Sequence, residues 1–152
     1  MSLDEYQKKR NLESTTEPKN VDVKKERTVE GFEGIYVIQE HHARRLHWDL
    51  RLEMDGVLKS WAVPKTPPTE KGVKRLAVLV EDHPLEYANF EGVIPEGHYG
   101  AGTVKIWDKG SYILKDRKSD KIVFEIKGQR LKGEYCLLKF KGDKNWLFFK
   151  KK

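Results

Sequence analysis

The sequence predicts a mainly β fold, an antiparallel barrel or sandwich preceded by a short N-terminal helix. Three observations carry this. Beyond Gly34 the apolar residues fall into short runs, several with the period of two that places alternate side chains on opposite faces of a strand. Turn-forming segments separate the runs, among them Asp55-Gly56 and Lys141-Gly142-Asp143-Lys144-Asn145. Helical spacing is nearly absent after the first ten residues.

At the N-terminus, Ser2 followed by Glu5 forms a capping box, and Leu3 with Tyr6 gives an apolar edge to a helix of about two turns ending near Arg10. From Asn11 to Gly34 the chain is polar, without a clear period, as expected of a mobile or peripherally docked segment. Residues 1–34 are therefore set apart from a β domain at 35–152. Strands are expected at 35–39, 47–54, 58–63, 75–81, 102–107, 111–114, 122–126, 134–140 and 146–150.

The chain has 152 residues, one domain's length, and four Trp, six Tyr and six Phe to build a core. Its net charge is +6; residues 1–34 hold seven basic and eight acidic side chains, so residues 35–152 carry +7. Such a balance suits a polyanion, nucleic acid before membrane, since no long apolar span or basic amphipathic helix is visible. Cys136 is the single cysteine and lies in an apolar run, which excludes an intrachain disulfide and favours a buried, inert thiol. The first residues show neither a basic leader nor an apolar signal, so a cytoplasmic protein is expected.

The run His47-Trp48-Asp49-Leu50-Arg51-Leu52-Glu53 alternates strictly. One face takes Trp48, Leu50, Leu52 and Met54; the other presents imidazole, carboxylate and guanidinium. His41, His47 and Asp49 can offer two neutral nitrogens and a carboxylate to a divalent ion, beside the anion-binding fork of Arg51. All five histidines lie between His41 and His98. Alternation puts Glu81 and His83 on one face of a strand that Pro84 stops, leaving His83 at a rim where it could meet a phosphate, with Tyr87 close by. The glycines of Pro95-Glu96-Gly97-His98-Tyr99-Gly100-Ala101-Gly102 fit a shaped loop, with His98 as an outlying neighbour of the site. Lys65 and Arg75 could bind phosphates.

Four ordered blocks, residues 39–53, 59–65, 81–87 and 95–102, resemble the 3′-phosphoesterase domain of bacterial DNA ligase D in a free-standing form. The resemblance implies a compact antiparallel β-barrel whose cavity holds manganese and a phosphate. His41, His47 and Asp49 would bind the metal, and Arg51, His83 and Tyr87 would surround the phosphate. Lys65, Arg75 and Glu81 would support the site, with Gln39 and Glu53 in its polar surroundings. The implied activity removes a 3′-terminal ribonucleoside and then the 3′-phosphate from DNA, leaving a hydroxyl for a polymerase or ligase. The implied partners are primer-template ends, DNA ligase and polymerase, with the chain a monomer away from membranes. Arg10, Asn11 and Glu17 match an N-terminal diesterase set in which Asn11 replaces an aspartate, and His42 stands where an acid is common. Two rival readings are a non-catalytic DNA-end-binding module and an iron-dependent oxygenase built on His47, Asp49 and His98, with Arg117 as co-substrate anchor.

Overall fold

The computed structural model describes residues 28–98 and 101–152. The expected N-terminal helix, Arg10, Asn11 and Glu17 lie outside the described residues. Nine strands follow in order: β1 (Glu33–His42), β2 (Leu46–Met54), β3 (Val57–Val63), β4 (Lys74–His83), β5 (Gly92–Ile94), β6 (Gly102–Lys118), β7 (Lys121–Lys127), β8 (Lys132–Lys141) and β9 (Asn145–Lys150). A 3-10 turn, Leu85–Asn89, the only one among the described residues, joins β4 to β5. Neighbours run β1-β2-β3-β4-β9-β8-β7-β6, and β6 returns to pair with β1, so eight antiparallel strands close a barrel. β5 stands outside this ring, paired only with the start of β6. No helix among the described residues is long and apolar enough to cross a membrane.

The barrel is filled. Trp48, Leu50, Leu52 and Met54 point inward as their alternation requires and meet Trp61, Tyr112, Phe124, Tyr135 and Phe148 from the other strands. Aromatic edges and faces interlock there, with Tyr112 against Phe124 at 5.9 Å and Phe124 stacked on Phe148 at 6.3 Å. Each such side chain taken fully from water is worth about 1.5–3 kcal/mol. Asp55-Gly56 turns the β2–β3 hairpin with positive φ at both residues, 56° and 83°, the backbone twist that a two-residue hairpin prefers. Arg117 locks this turn by a two-pronged bond to Asp55, Nη1 to Oδ1 at 2.8 Å and Nη2 to Oδ2 at 2.6 Å.

Two of the four register shifts in the sheet reset the alternation near His41, Asp49 and His83. Ile38 pairs with Asp108 but Gln39 pairs with Ile106, so Trp107 is the extra residue and β6 changes phase there. The expected strands at 102–107 and 111–114 are thus one strand, bent at Trp107. Before the bulge Val104 and Ile106 face outward; after it Asp108, Tyr112 and Leu114 face inward. In β4, Leu58 pairs with His83 and Ser60 with Val80, so Glu81 and Asp82 together oppose Lys59. A second, smaller cluster of Val37, Leu58, Tyr87, Ala88, Ile94 and Val104 lies on the outside of the wall, where the 3-10 turn and β5 cover it.

Gly102 brings β6 against the β1–β2 hairpin. A Cβ at this position would sit inside the carbonyl oxygen of His42 and press on Ala43, and its φ of 132° is costly for any side chain. Gly102→Ala is expected to push the hairpin away, lowering stability by about 1–3 kcal/mol and metal affinity with it. Paired thermal melts and metal titrations check this, and an unaltered metal titration contradicts it.

Candidate metal centre

Antiparallel register assembles the centre from β1 and β2. His41 pairs with His47, and Gln39 with Asp49. Because Trp48 and Leu50 face the core, His47, Asp49 and Arg51 face outward, with Gln39 and His41 beside them. The expected site in the barrel's cavity is therefore corrected: the interior is packed with aromatic rings, and the polar centre occupies the outer face under the β4–β5 excursion.

His41, His47 and Asp49 each offer a ligand atom, all within 4.8 Å of one another. Asp49 Oδ1 lies 3.3 Å from His47 Nε2, and Oδ2 lies 3.6 Å from His41 Nδ1. The imidazole rings meet edge to face at 4.7 Å. His47 Nδ1 donates to the Arg45 carbonyl at 3.1 Å, which fixes its proton there and leaves Nε2 with a lone pair toward the carboxylate. A lone pair facing a carboxylate oxygen invites a cation, either a proton on Nε2 or a metal ion. The donor set of two imidazoles and a carboxylate suits a divalent transition metal.

Burial alone would raise the pKa of Asp49, but the Arg51 charge and hydrogen bonds from both histidines outweigh it and hold the carboxyl well below the usual range. The hydrogen bond to Asp49 raises His47 against the opposing effect of burial. In the metal-free protein this ion pair contributes most below the ordinary imidazole range and lapses as pH climbs past the raised value. Metal affinity is expected to run the other way, falling as pH drops through that value and the proton competes for Nε2. Calorimetric titration with manganese at several pH values checks the sign; affinity independent of pH between 5 and 8 would contradict it.

Arg51 is buried and held from several sides. Nε donates to Gln39 Oε1 at 2.6 Å and Nη1 to Ser60 Oγ at 2.8 Å. Nη1 also reaches His83 Nδ1 at 3.1 Å, and the guanidinium lies 4.8 Å from the Tyr87 ring centre. Nη2 makes a long 3.4 Å contact to Asp49 Oδ2. Gln39 completes the brace by donating Nε2 to the Tyr87 and Phe90 carbonyls at 2.8 and 3.1 Å, tying the covering turn to the guanidinium. His83 Nδ1 lies 3.1 Å from both the Arg51 Nη1 donor and the Glu81 carbonyl, an acceptor. Nε2 is buried and finds no hydrogen-bond partner among the described residues. Burial and the Arg51 charge push the His83 pKa down to about 3, so this imidazole is neutral. An orphaned polar atom of this kind is costly in a finished core, and in the tautomer that carries its proton on Nε2 it is a fitting partner for an anionic oxygen. Burial pushes Tyr87 up to about 12, keeping its phenol protonated; its ring lies 4.9 Å from His83 and stacks on Phe90 at 5.0 Å.

Other expected members stand apart. The bulge in β4 sends His83 to the outer face with Leu58 while Glu81 is exposed, its backbone carbonyl 3.1 Å from His83 Nδ1; the expected sharing of one face by Glu81 and His83 is corrected. Lys65 is exposed beyond the end of β3. Arg75 has the inward phase of Ala77 and donates Nε to the Thr66 carbonyl at 2.7 Å, at the barrel's end. Glu53 accepts the Ile35 N–H at 2.9 Å, holding the start of β1. His42 has the opposite phase to His41 and pairs with Glu40. His98 is exposed and outside the ligand group, so the oxygenase set of His47, Asp49 and His98 is not assembled; Arg117 binds Asp55. Ser60, which carries no local signal of a role in the sequence, faces Arg51 across the β2–β3 pairing.

Comparison with known proteins identifies the family. Residues 39–139, from Gln39 in β1 into β8, match the family described as the DNA Ligase D 3′-phosphoesterase domain. The chain is 47% identical over 149 residues to the multifunctional non-homologous end joining DNA repair protein LigD of Mycobacterium tuberculosis, covering 95% of this chain and 19% of that protein. It is 47% identical over 144 residues to LigD of Pseudomonas aeruginosa, covering 90% and 16%. A match to LigD of Mycolicibacterium smegmatis, again 47% identical, covers 95% and 20%. The chain thus spans about a fifth of the length of these relatives or less. With its matched segment holding the histidines, Asp49, Arg51, His83 and Tyr87, the chain belongs to the DNA ligase D 3′-phosphoesterase domain family.

Proposed function

We propose that this chain is a hydrolase that heals DNA 3′ ends, removing a 3′-phosphate and, less efficiently, a 3′-terminal ribonucleoside, with manganese as its divalent ion. One observation supports this most: a buried guanidinium and an unpartnered His83 Nε2 adjoin a three-residue ligand group on one face of a sheet. A divalent ion bound by His41, His47 and Asp49 would neutralise phosphoryl charge and act as a Lewis acid.

The chain's own groups do the rest. Arg51 draws the terminal phosphate in through Nη2, whose other contact is long, while Gln39 and Ser60 keep the fork from swinging away. In the tautomer protonated on Nε2, His83 donates to a non-bridging or leaving oxygen, and Tyr87, protonated and beside it, is a further donor. Water adds to phosphorus, the bond from phosphorus to the 3′ oxygen breaks, and that oxygen leaves as the hydroxyl. Ligase and polymerase activities are the consumers of such an end. For the ribonucleoside step Arg10 and Glu17 act with Asn11, whose amide cannot accept a proton as an aspartate does, so the diester is the slower substrate.

A 3′-phosphate primer-template with and without manganese tests the reading. Inorganic phosphate is expected only with the metal, and a 3′-ribonucleotide end is expected to react more slowly. Binding without release at any metal concentration would instead describe an end-binding module.

A further inference from the structure

We propose that the nucleoside bearing the 3′-phosphate and the few nucleotides before it lie across β3 and β4 on Ala62, Val78 and Val80, and that Lys144 meets a backbone phosphate beyond. This rests on the function proposed above and adds the path by which the strand leaves the centre.

Register places this floor on the same face as the metal ligands. Asp49 pairs with Ala62, Ala62 with Val78 and Val78 with Asn145; the adjoining row is Arg51, Ser60 and Val80. Directly paired residues of an antiparallel sheet point to the same side. The intervening Trp61 and Leu79 pack against the core inside, so both rows run from the centre over the outside of the barrel. Ala62, Val78, Val80 and Asn145 are half-buried, and Leu76, two residues from Val78 on the same face, is 40% exposed.

The other directions along the sheet are taken. Toward β1 and β6 the outer face is buried beneath the 3-10 turn and β5, where Val37, Ala88, Ile94 and Val104 pack together. Along β2 past Arg51, the buried Leu58, His83 and Tyr87 fill the surface. The opposite direction holds His41 and His47, the ligands themselves. β3 and β4 remain. A 3′-phosphate carries its nucleoside one bond away, so the open surface that adjoins the phosphate site is where that nucleoside has to lie.

The chemistry along the rows fits this occupant. Half-exposed aliphatic side chains suit the faces of a sugar and a base, and the path then meets the β8–β9 turn, Lys141-Gly142-Asp143-Lys144-Asn145. Lys144 is exposed, and its carbonyl accepts the Leu79 N–H at 2.7 Å, which fixes the turn against β4 beside Val80. Asp49 and Asn145 are three strand spacings apart, about 14 Å at roughly 4.8 Å each, the length of about four stacked nucleotides at about 3.4 Å each. An ammonium at that distance matches a backbone phosphate rather than the terminal one.

The test uses the full chain. Binding of a labelled 3′-phosphate primer-template is followed by fluorescence anisotropy in EDTA across a salt series, and manganese binding by calorimetry. Manganese-dependent phosphate release is measured from thymidine 3′-monophosphate, which has no backbone phosphate. Lys144→Gln is expected to weaken oligonucleotide binding and reduce the salt slope by about one, and Lys144→Arg to restore both. Its release from the mononucleotide should stay within about twofold of wild type, since a phosphate contact acts on the nucleotides it touches. Val78→Ser is expected to weaken oligonucleotide binding several-fold with the slope and the manganese affinity unchanged. Lys132→Gln, on β8 at the far side of the ring, should leave oligonucleotide affinity as it is. Unchanged oligonucleotide affinity in Lys144→Gln or Val78→Ser, an equal loss in Lys132→Gln, or a matching fall in manganese affinity overturns the proposal. A wild-type chain that binds through Lys144 and Val78 yet releases no phosphate would refute the proposed activity and leave this surface standing.

Discussion

Asp49→Asn is expected to bring phosphate release down by more than about 100-fold, because even partners one step removed from a metal typically cost 10–100-fold when lost. The amide keeps the size of the carboxylate but removes its charge, and one of its two ends becomes a donor. His47 Nε2 then faces no anion, His41 loses its partner at Oδ2, and Arg51 loses its counter-charge. Alanine at this position is a poorer probe, since it leaves a buried guanidinium facing a gap as well, and removing one partner of a buried pair costs about 3–5 kcal/mol. Gln39, Ser60 and His83 still hold Arg51 in the asparagine variant, so the barrel should stay folded, with its midpoint lowered by the guanidinium left without a counter-charge. Manganese titration and single-turnover release are the measurements. Wild-type turnover in a folded Asp49→Asn protein would remove Asp49 from the ligand set.

Asp108→Ala is expected to have the largest effect on stability, on the order of 4 kcal/mol, from the 1–3 kcal/mol that each buried unsatisfied group costs. Asp108 is buried where β6 turns inward. Oδ1 accepts the N–H groups of Gln129 and Arg130 at 2.7 and 2.9 Å, and Oδ2 accepts Leu131 N–H at 2.9 Å and the Tyr36 hydroxyl at 2.7 Å. One carboxylate thus organises the β7–β8 connection and satisfies a phenol in the core. Gly128 completes the arrangement, because a Cβ there would overlap Oδ2 and the Tyr36 ring. In a domain of this size each kcal/mol moves the midpoint by about 2–4 °C, so a fall of about 10 °C is expected in a thermal melt. A midpoint within 2 °C of wild type would mean water replaces the carboxylate without penalty.

β2 was legible because nothing interrupts its alternation: the residues that fill the barrel and those that face outward are read directly from Trp48 to Met54. The Asp55-Gly56 turn was legible for the same local reason. What stayed hidden depends on pairing between distant segments. β6 looked like two strands because the extra residue at Trp107 breaks its period, and β5, only three residues long, is too short to show one. His83 reaches the Arg51 face through a bulge defined by its pairing with β3, which no window on β4 alone can show. Ser60 and Asp108 carry no local signal either; one acts through cross-strand register and the other through a loop 21 residues away. Lys65, Arg75, Glu81 and Glu53, expected in or beside the site, are exposed or committed to backbone groups elsewhere.

A wall one side chain thick separates what keeps this protein folded from what would make it react. Mutational drift among the rings inside can therefore retune melting while leaving turnover alone, as long as each replacement stays greasy and similar in bulk. Length is the vulnerable parameter: one residue gained or lost in β2 ahead of Asp49 would exchange the two sides, delivering a carboxylate and a guanidinium into oil and a tryptophan into water.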